Sequence, residues 1–233
     1  MIREVIILAG GLGTRLKDAV PELPKCMAPV SGQPFLHYVI EYYRKEGIEK
    51  FIFSLGYMHE VIEGYINKQY AMLDVQYSVE KEPLGTGGAV KLACAKTTEK
   101  DVLISNGDTL FSIHTAKLAA FHKMCGAHCT LSLKPMKDFN RYGVVELNKD
   151  YSIASFREKL PYETGLINGG VYALNVSKFL DEDLPGKFSF EKDYLEEYYT
   201  SRRMYGVEQD TYFIDIGVPE DYERAQHELA VSR

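Results

Sequence analysis

No stretch of the 233-residue chain approaches the ~18–20 consecutive apolar residues that span a bilayer, so no membrane-spanning helix is expected. Positive charge is not in excess either: 27 Lys and Arg against 33 Asp and Glu leave a net charge of −6, and no basic field is available to hold nucleic acid by counterion release. An anionic substrate must therefore be held by a local site. Cysteine is scarce. Cys26, Cys94, Cys125 and Cys129 occur in a chain whose first apolar run leads into glycines rather than a small-residue cleavage site. This predicts free thiols in a cytoplasmic protein and makes Asn175-Val-Ser177 a chance sequon. No linker, repeat or low-complexity tract interrupts the chain, so a single domain over residues 1–233 is expected. With 45% apolar and 26% charged residues, disordered, collagen-like and coiled-coil classes are excluded.

What is present is an alternation of short apolar runs and helical stripes. Val5 to Leu8, Phe51 to Ser54, Val75 to Val79, Val102 to Ser105 and Thr130 to Leu133 read as buried strands. Leu36, Val39, Ile40 and Tyr43 form a helical stripe closed by Gly47, and Val61, Ile62, Tyr65 and Ile66 form another. Strand, helix, strand over residues 1–134 predicts a parallel α/β sheet with helices on both faces. Beyond Lys134-Pro135 the segments shorten and alternate. Tyr142 to Leu147, Ile153 to Arg157 and Ile167 to Leu174 predict antiparallel strands in residues 135–233, with a closing strand at Tyr212 to Ile216 and a helix opened by Pro219.

The strongest local signal follows the first strand: Leu8-Ala-Gly-Gly-Leu-Gly-Thr-Arg-Leu16. Gly10, Gly11 and Gly13 let backbone N–H groups approach phosphate oxygens, and Arg15 adds a forked cation. Leu16 stands where a dinucleotide fingerprint needs its third glycine, and no Gly-Lys-Ser/Thr closes the loop as in a P-loop. Lys25 follows ten residues after Arg15, a second glycine run, Glu82-Pro-Leu-Gly-Thr-Gly-Gly88, follows the third strand, and Asn106-Gly-Asp108 follows the fourth. In an open parallel sheet such loops converge at the carboxyl edge, where ligands bind. His122, Cys125, His128 and Cys129 are close in sequence, but a helix end, a turn at Gly126 and a strand start would scatter them away from a common zinc ion. Asp181-Glu-Asp183 reads as a solvated turn.

These motifs, with Glu158-Lys159, Asn168-Gly-Gly-Val-Tyr172 and Tyr212-Phe-Ile-Asp-Ile-Gly217, resemble the sugar-phosphate nucleotidyltransferases (NDP-sugar pyrophosphorylases) along nearly the whole chain. Within that family the resemblance is greatest to guanylyltransferases of a manno-configured heptose 1-phosphate. The sequence departs from the family pattern at Asp18, Ala19, Val20 and Cys26. The resemblance implies a Rossmann-like doubly wound mixed sheet (GT-A-like) with a small antiparallel sugar-binding part. It also implies transfer of a nucleotidyl group, GTP favoured, to a sugar 1-phosphate, giving GDP-heptose for surface polysaccharide synthesis. The alternatives are a hexose 1-phosphate guanylyl- or uridylyltransferase and an inactive regulatory subunit of the same fold. A homo-oligomer is left open.

By the same resemblance Arg15 holds the β/γ phosphates, Lys25 the α-phosphate and Lys159 the sugar phosphate. Leu8, Ala9, Gly10, Gly11, Gly13, Thr14, Gly85, Thr86, Asn106 and Gly107 frame the nucleotide, and Glu80 reads the base. Gly143, Glu158, Asn168 and Gly169 serve the sugar. Because the attacking phosphate already carries ~1.5–2 negative charges, no general base is required and no Ser/His/Asp set is present. Magnesium, a hard ion bound through one or two carboxylates plus phosphates, fits Asp108 and Asp215.

Overall fold

β1 (Glu4–Leu8) carries Val5, Ile6 and Ile7, all fully buried, as expected of a strand covered on both faces. Its side chains alternate between two cores: Val5 and Ile7 pack with Val39 and Ile40, while Ile6 packs with Val90 and Ala93. The structure is a computed structural model and describes residues 1–11 and 23–230.

After β1 the chain forms a small ladder of β2 (Pro29–Val30) and β3 (Gln33–Pro34), then α1 (Phe35–Lys45), β4 (Lys50–Leu55), α2 (His59–Gln69), β5 (Asp74–Val79), α3 (Gly85–Cys94) and β6 (Asp101–Asn106). β7 (Thr109–Phe111), α4 (Thr115–Cys125), β8 (Cys129–Phe139), β9 (Val144–Leu147), β10 (Ile153–Arg157) and β11 (Tyr162–Asn175) follow. The chain finishes with α5 (Val176–Leu180), a π-helical turn at Phe190–Leu195, α6 (Glu196–Tyr198), β12 (Met204–Glu208), β13 (Phe213–Asp215) and α7 (Pro219–Glu228). The large sheet runs β10-β9-β11-β6-β1-β4-β5, with β8 on β11 and β12 on β8. β5, β4, β1 and β6 are mutually parallel, and β11 joins β6 antiparallel. This is the mixed α/β sheet the sequence implies. Chain order reverses between β1 and β6, so the crevice at a topological switch point opens beyond Leu8 and Asn106. No helix among the described residues is long and apolar enough to cross a membrane.

The predicted stripes are the buried faces: Leu36, Val39, Ile40 and Tyr43 on α1, and Ile62 and Ile66 on α2 with Val61 and Tyr65 partly buried beside them. Four expectations change. Val75 to Val79 belongs to β5 at the end of the sheet, where only Ser78 is buried, because no strand among the described residues covers its outer edge. The second glycine run is not a loop, because Gly85 to Gly88 form the first turn of α3. Gly85 takes φ +74°, and a Cβ on Gly87 would lie 2.2 Å from the Phe188 ring, so the glycines admit the segment that crosses this helix rather than freeing a loop. Tyr142 and Gly143 precede β9, which starts at Val144. The strand expected from Ile167 extends from Tyr162, because its first half pairs with β8 before a register shift between Asn168 and Tyr172 brings the second half onto β6. Gly47, with φ +84°, follows the α1 cap as expected, and Pro219 opens α7.

Gly87→Ala gains helix propensity of about 1 kcal/mol but drives a methyl into a ring held by Phe179, at a cost of about 1–3 kcal/mol. Net destabilisation by urea unfolding is expected, and it should shrink when Phe188 is also changed to Ala.

Candidate active site

The ends of three strands are drawn together by backbone bonds. Ala9 N–H donates to Ser54 O at 2.9 Å, and Gly107 N–H donates to Leu8 O at 2.8 Å. A Cβ on Gly107 would lie 2.9 Å from that same Leu8 oxygen, so only glycine lets the two strand ends approach this closely. Beyond this seam lies a cleft of about 840 Å³, lined by the predicted residues Leu8, Ala9, Gly10, Gly11, Lys25, Glu80, Gly85, Thr86, Asn106 and Asp108. Gly107 stands behind it as part of the seam. Gly13, Thr14 and Arg15 lie outside the described residues, as do the departures at Asp18, Ala19 and Val20.

At one side of the cleft three segments meet in a charge cluster. Lys25 opens a 3-10 turn directly after Pro24, Asp108 precedes β7, and Asp215 ends β13. Asp215 is paired with Thr109, and Ile216 N–H donates to Asp108 O at 3.1 Å, so the antiparallel β7–β13 ladder holds the two acidic residues side by side. Lys25 Nζ lies 2.5 Å from Asp108 Oδ2 and 3.5 Å from Asp215 Oδ1, and its side chain is only 12% exposed. Gly217 N–H donates to Asp215 Oδ1 at 2.8 Å, and the Tyr142 hydroxyl donates to Asp215 Oδ2 at 3.3 Å. The lysine ammonium thus shows that this carboxylate pair can share one cation. Among the described residues no group of three or more His, Cys, Asp or Glu surrounds a common point. Two hard carboxylates with phosphates completing the shell fit magnesium better than a metal that needs an all-protein cage.

Glu80 also lines the cleft, and its Oε2 accepts the Leu84 N–H at 2.7 Å, which fixes the turn into α3. Burial pushes the Glu80 carboxyl above its ordinary range, and the Leu84 bond pulls in the opposite direction. The Thr86 hydroxyl donates to Glu191 Oε2 at 2.8 Å and accepts from Phe190 N–H at 2.8 Å. Its single proton is therefore committed to Glu191, and the side chain staples α3 to the π-helical turn.

The sugar-side residues form two groups. Asn168 and Gly169 sit at the β11 register shift. Asn168 Oδ1 accepts Gly170 N–H at 3.0 Å, its amide donates to the Tyr172 hydroxyl at 2.9 Å, and a Cβ on Gly170 would fall 2.5 Å from the Asn106 amide. Gly170 thus packs directly on Asn106, a cleft residue, while Asn168, Gly169, Gly143, Glu158 and Lys159 are not among the cleft-lining residues. Gly143 lies against Arg157, where a Cβ would be 2.5 Å from the carbonyl oxygen. Glu158 and Lys159 occupy the exposed turn that follows. Burial and the negative charges of Glu158 and Glu191 together push the Glu196 carboxyl up, so Glu158 faces the π-helical turn.

Glu191 lines the cleft and was not anticipated, since nothing in Ser189-Phe-Glu191 marks it locally. Tyr142 and Arg141 were also missed, although they adjoin Gly143. His122 is buried against Thr130 at 2.9 Å, and Cys26, Cys94, Cys125 and Cys129 are free thiols.

The nucleotidyl transferase family profile matches residues 4–232. The chain is 51% identical over 226 residues to a D-glycero-alpha-D-manno-heptose 1-phosphate guanylyltransferase of Aneurinibacillus thermoaerophilus, covering 97% of this chain and 98% of that protein. It is 45% identical to a protein of the same name from Campylobacter jejuni, covering 94% and 96%. The crystal structure of HddC from Yersinia pseudotuberculosis complexed with GMP-PN superposes with a TM-score of 0.89 at 36% identity, covering 98% of this chain and all of that one.

Lys25→Met leaves two carboxylates facing each other without their cation. The metal-free variant is expected to lose about 1–2 kcal/mol of stability, between the worth of an exposed pair and a buried one. Added Mn²⁺ should raise its melting temperature by more than that of the unmodified protein, as read by thermal shift.

Proposed function

The chain belongs to the nucleotidyl transferase family, and from that membership we propose that it transfers a guanylyl group from GTP to D-glycero-α-D-manno-heptose 1-phosphate, releasing pyrophosphate. The observation that carries this reading is the cleft at the β1–β6 switch point, whose lining includes the Glu80 carboxylate together with Lys25 and Asp108 of the Lys25–Asp108–Asp215 cluster. On this reading Glu80 meets the base and Lys25 a phosphate of one nucleotide in a cleft of about 840 Å³.

One oxygen of the sugar 1-phosphate attacks the α-phosphorus of GTP in line. A P–O bond forms as the bond from the α-phosphorus to the bridging oxygen breaks, and the electron pair leaves on pyrophosphate. The nucleophile is already an anion, so the protein's work is orientation and charge neutralisation. Lys25, released from the carboxylates, neutralises the α-phosphate, Arg15 the β/γ phosphates, and Lys159 the sugar phosphate. Asp108 and Asp215 would hold magnesium, which when bound neutralises the phosphate oxygens and orients the triphosphate. Leu8 to Gly11, Gly13 and Thr14 are assigned to close backbone approach of the nucleotide, while Gly85 and Gly107 frame the cleft through their own close packing against Phe188 and Leu8. Asn106 and Thr86 shape the floor and wall. Glu158 and Asn168 hold the sugar hydroxyls, with Gly143 and Gly169 close to the sugar.

Guanine presents N1–H and the exocyclic amine as adjacent donors, and an ionised carboxylate accepts at both oxygens. Glu80 keeps this capacity, because Leu84 uses one lone pair of Oε2 and Oε1 faces Gly10. Uracil or thymine would set a carbonyl against it, a mismatch worth about 1–3 kcal/mol.

Pyrophosphate release from GTP, UTP, CTP, dTTP and ATP, each with heptose, mannose and glucose 1-phosphates, should be greatest for GTP with the heptose. Glu80→Gln should lower kcat/KM for GTP and narrow the gap to UTP by roughly tenfold or more. Its stability at neutral pH should be retained. The glutamine carbonyl still accepts from Leu84, and a raised folded-state pKa means that the ionised Glu80 costs stability above its unfolded pKa, a cost the amide removes. A wild-type preference for UTP would overturn the guanylyl assignment. Asp108→Asn and Asp215→Asn should each cut turnover by several kcal/mol of barrier, read as kcat at saturating substrates.

A further inference from the structure

The Asp215 carboxylate has more partners than the transfer reaction uses. Its Oδ1 accepts Gly217 N–H and faces Lys25, while Oδ2 is met by the hydroxyl of Tyr142 at 3.3 Å. That hydroxyl in turn lies 2.7 Å from Arg141 Nη2. The same guanidinium pairs with Asp221 in the first turn of α7, and its carbon lies 5.3 Å from the centroid of the Tyr142 ring. Asp221 is itself braced by Arg224 at 2.8 Å.

The direction of this chain is fixed by the chemistry of its members. A guanidinium only donates, so the Tyr142 oxygen must accept from Arg141, and its single proton is left for the one acceptor on its other side, Asp215 Oδ2. Asp215 ends a three-residue strand, where backbone pairing sets its Cα but not its carboxyl torsion. Gly217 pins one oxygen, Tyr142 pins the other, and together they fix the carboxylate plane. Tyr142 is placed for this by partners on both sides, with Arg141 over its ring and Phe213 edge-on at 6.1 Å.

We propose that Tyr142, held by Arg141 and Asp221, is a positioning residue that orients the Asp215 carboxylate for a divalent cation. The proposal rests on the reading of Asp215 as a metal ligand. It also joins the two halves of the site, because Tyr142 immediately precedes Gly143 on the sugar side. A ligating carboxylate is in general oriented by hydrogen bonds behind it, and removing such a partner weakens metal affinity by about 10–100-fold.

The test is direct Mn²⁺ binding to the full chain by electron paramagnetic resonance, with and without a non-hydrolysable GTP analogue. Tyr142→Phe keeps the ring on Phe213 and removes only the hydroxyl, and it should bind Mn²⁺ about tenfold more weakly. Arg141→Gln should shift affinity in the same direction by less, and it carries the same expectation if Tyr142→Phe proves poorly folded by circular dichroism. Tyr212→Phe, which loses a hydroxyl bonded to Glu228 at 2.7 Å, should leave Mn²⁺ affinity unchanged. If Asp215→Asn weakens Mn²⁺ binding but Tyr142→Phe and Arg141→Gln stay within twofold of wild type, the positioning role is overturned while the metal reading stands. If Asp215→Asn binds Mn²⁺ as wild type does, the metal reading fails and the proposal fails with it.

Discussion

One ammonium group shared between two carboxylates ties one side of the candidate site together. Lys25, Asp108 and Asp215 come from an entry turn, a strand start and a strand end, and the pairing with Asp108 alone spans 83 residues. Two carboxylates fixed side by side by the β7–β13 ladder repel each other, and the fold relieves that repulsion with a buried lysine rather than by separating them. The charge arrangement that makes a pair of like charges tolerable in the free protein is the one that a metal and a polyphosphate would take over. The proposed metal role of Asp215 would give its extra hydrogen bonds a purpose, since a carboxylate passing from one cation to another must keep its orientation.

The seam behind the cluster is made of backbone. Gly107 against Leu8 and Ala9 against Ser54 set the spacing of three strand ends, and the cleft inherits its dimensions from those contacts. On the other wall, Thr86 and Glu191 join α3 to the π-helical turn, and Phe188 crosses the glycines of α3. The two walls of the cleft are therefore carried by different structural supports, one of backbone seams and one of side-chain staples.

Much of this was legible in the sequence because burial on both faces leaves an unmistakable local trace. β1, β4 and β6 are apolar or β-branched runs, whereas β5 ends the sheet partly exposed, and the α1 stripe repeats at helical spacing. The candidate site was legible where a motif forces a backbone shape or supplies a charge, as at Gly10, Lys25, Asp108 and Asp215. What escaped depends on partners distant in the chain. Nothing local shows that Gly87 is a glycine because of Phe188, that the Thr86 proton goes to Glu191, or that Tyr162 extends a strand because Phe139 lies beside it. Tyr142 was invisible for the same reason, since its partner Asp215 lies 73 residues on.

The long spans that hide these partners bear on the order in which the molecule assembles. Ser31 bonds to Gln226 across 195 residues, and the Gln226 amide reaches Pro29 across 197, so α7 docks on a ladder made near the other end of the chain. Closing such loops must be completed before the contacts reward it, which places this topology among slowly folding, non-local ones. The early parallel strands can pair with one another, but the carboxylate pair does not exist until β13 finds β7. Assembly of the Lys25–Asp108–Asp215 centre therefore waits on the last strand to pair, although most of the cleft lining comes from residues that precede it.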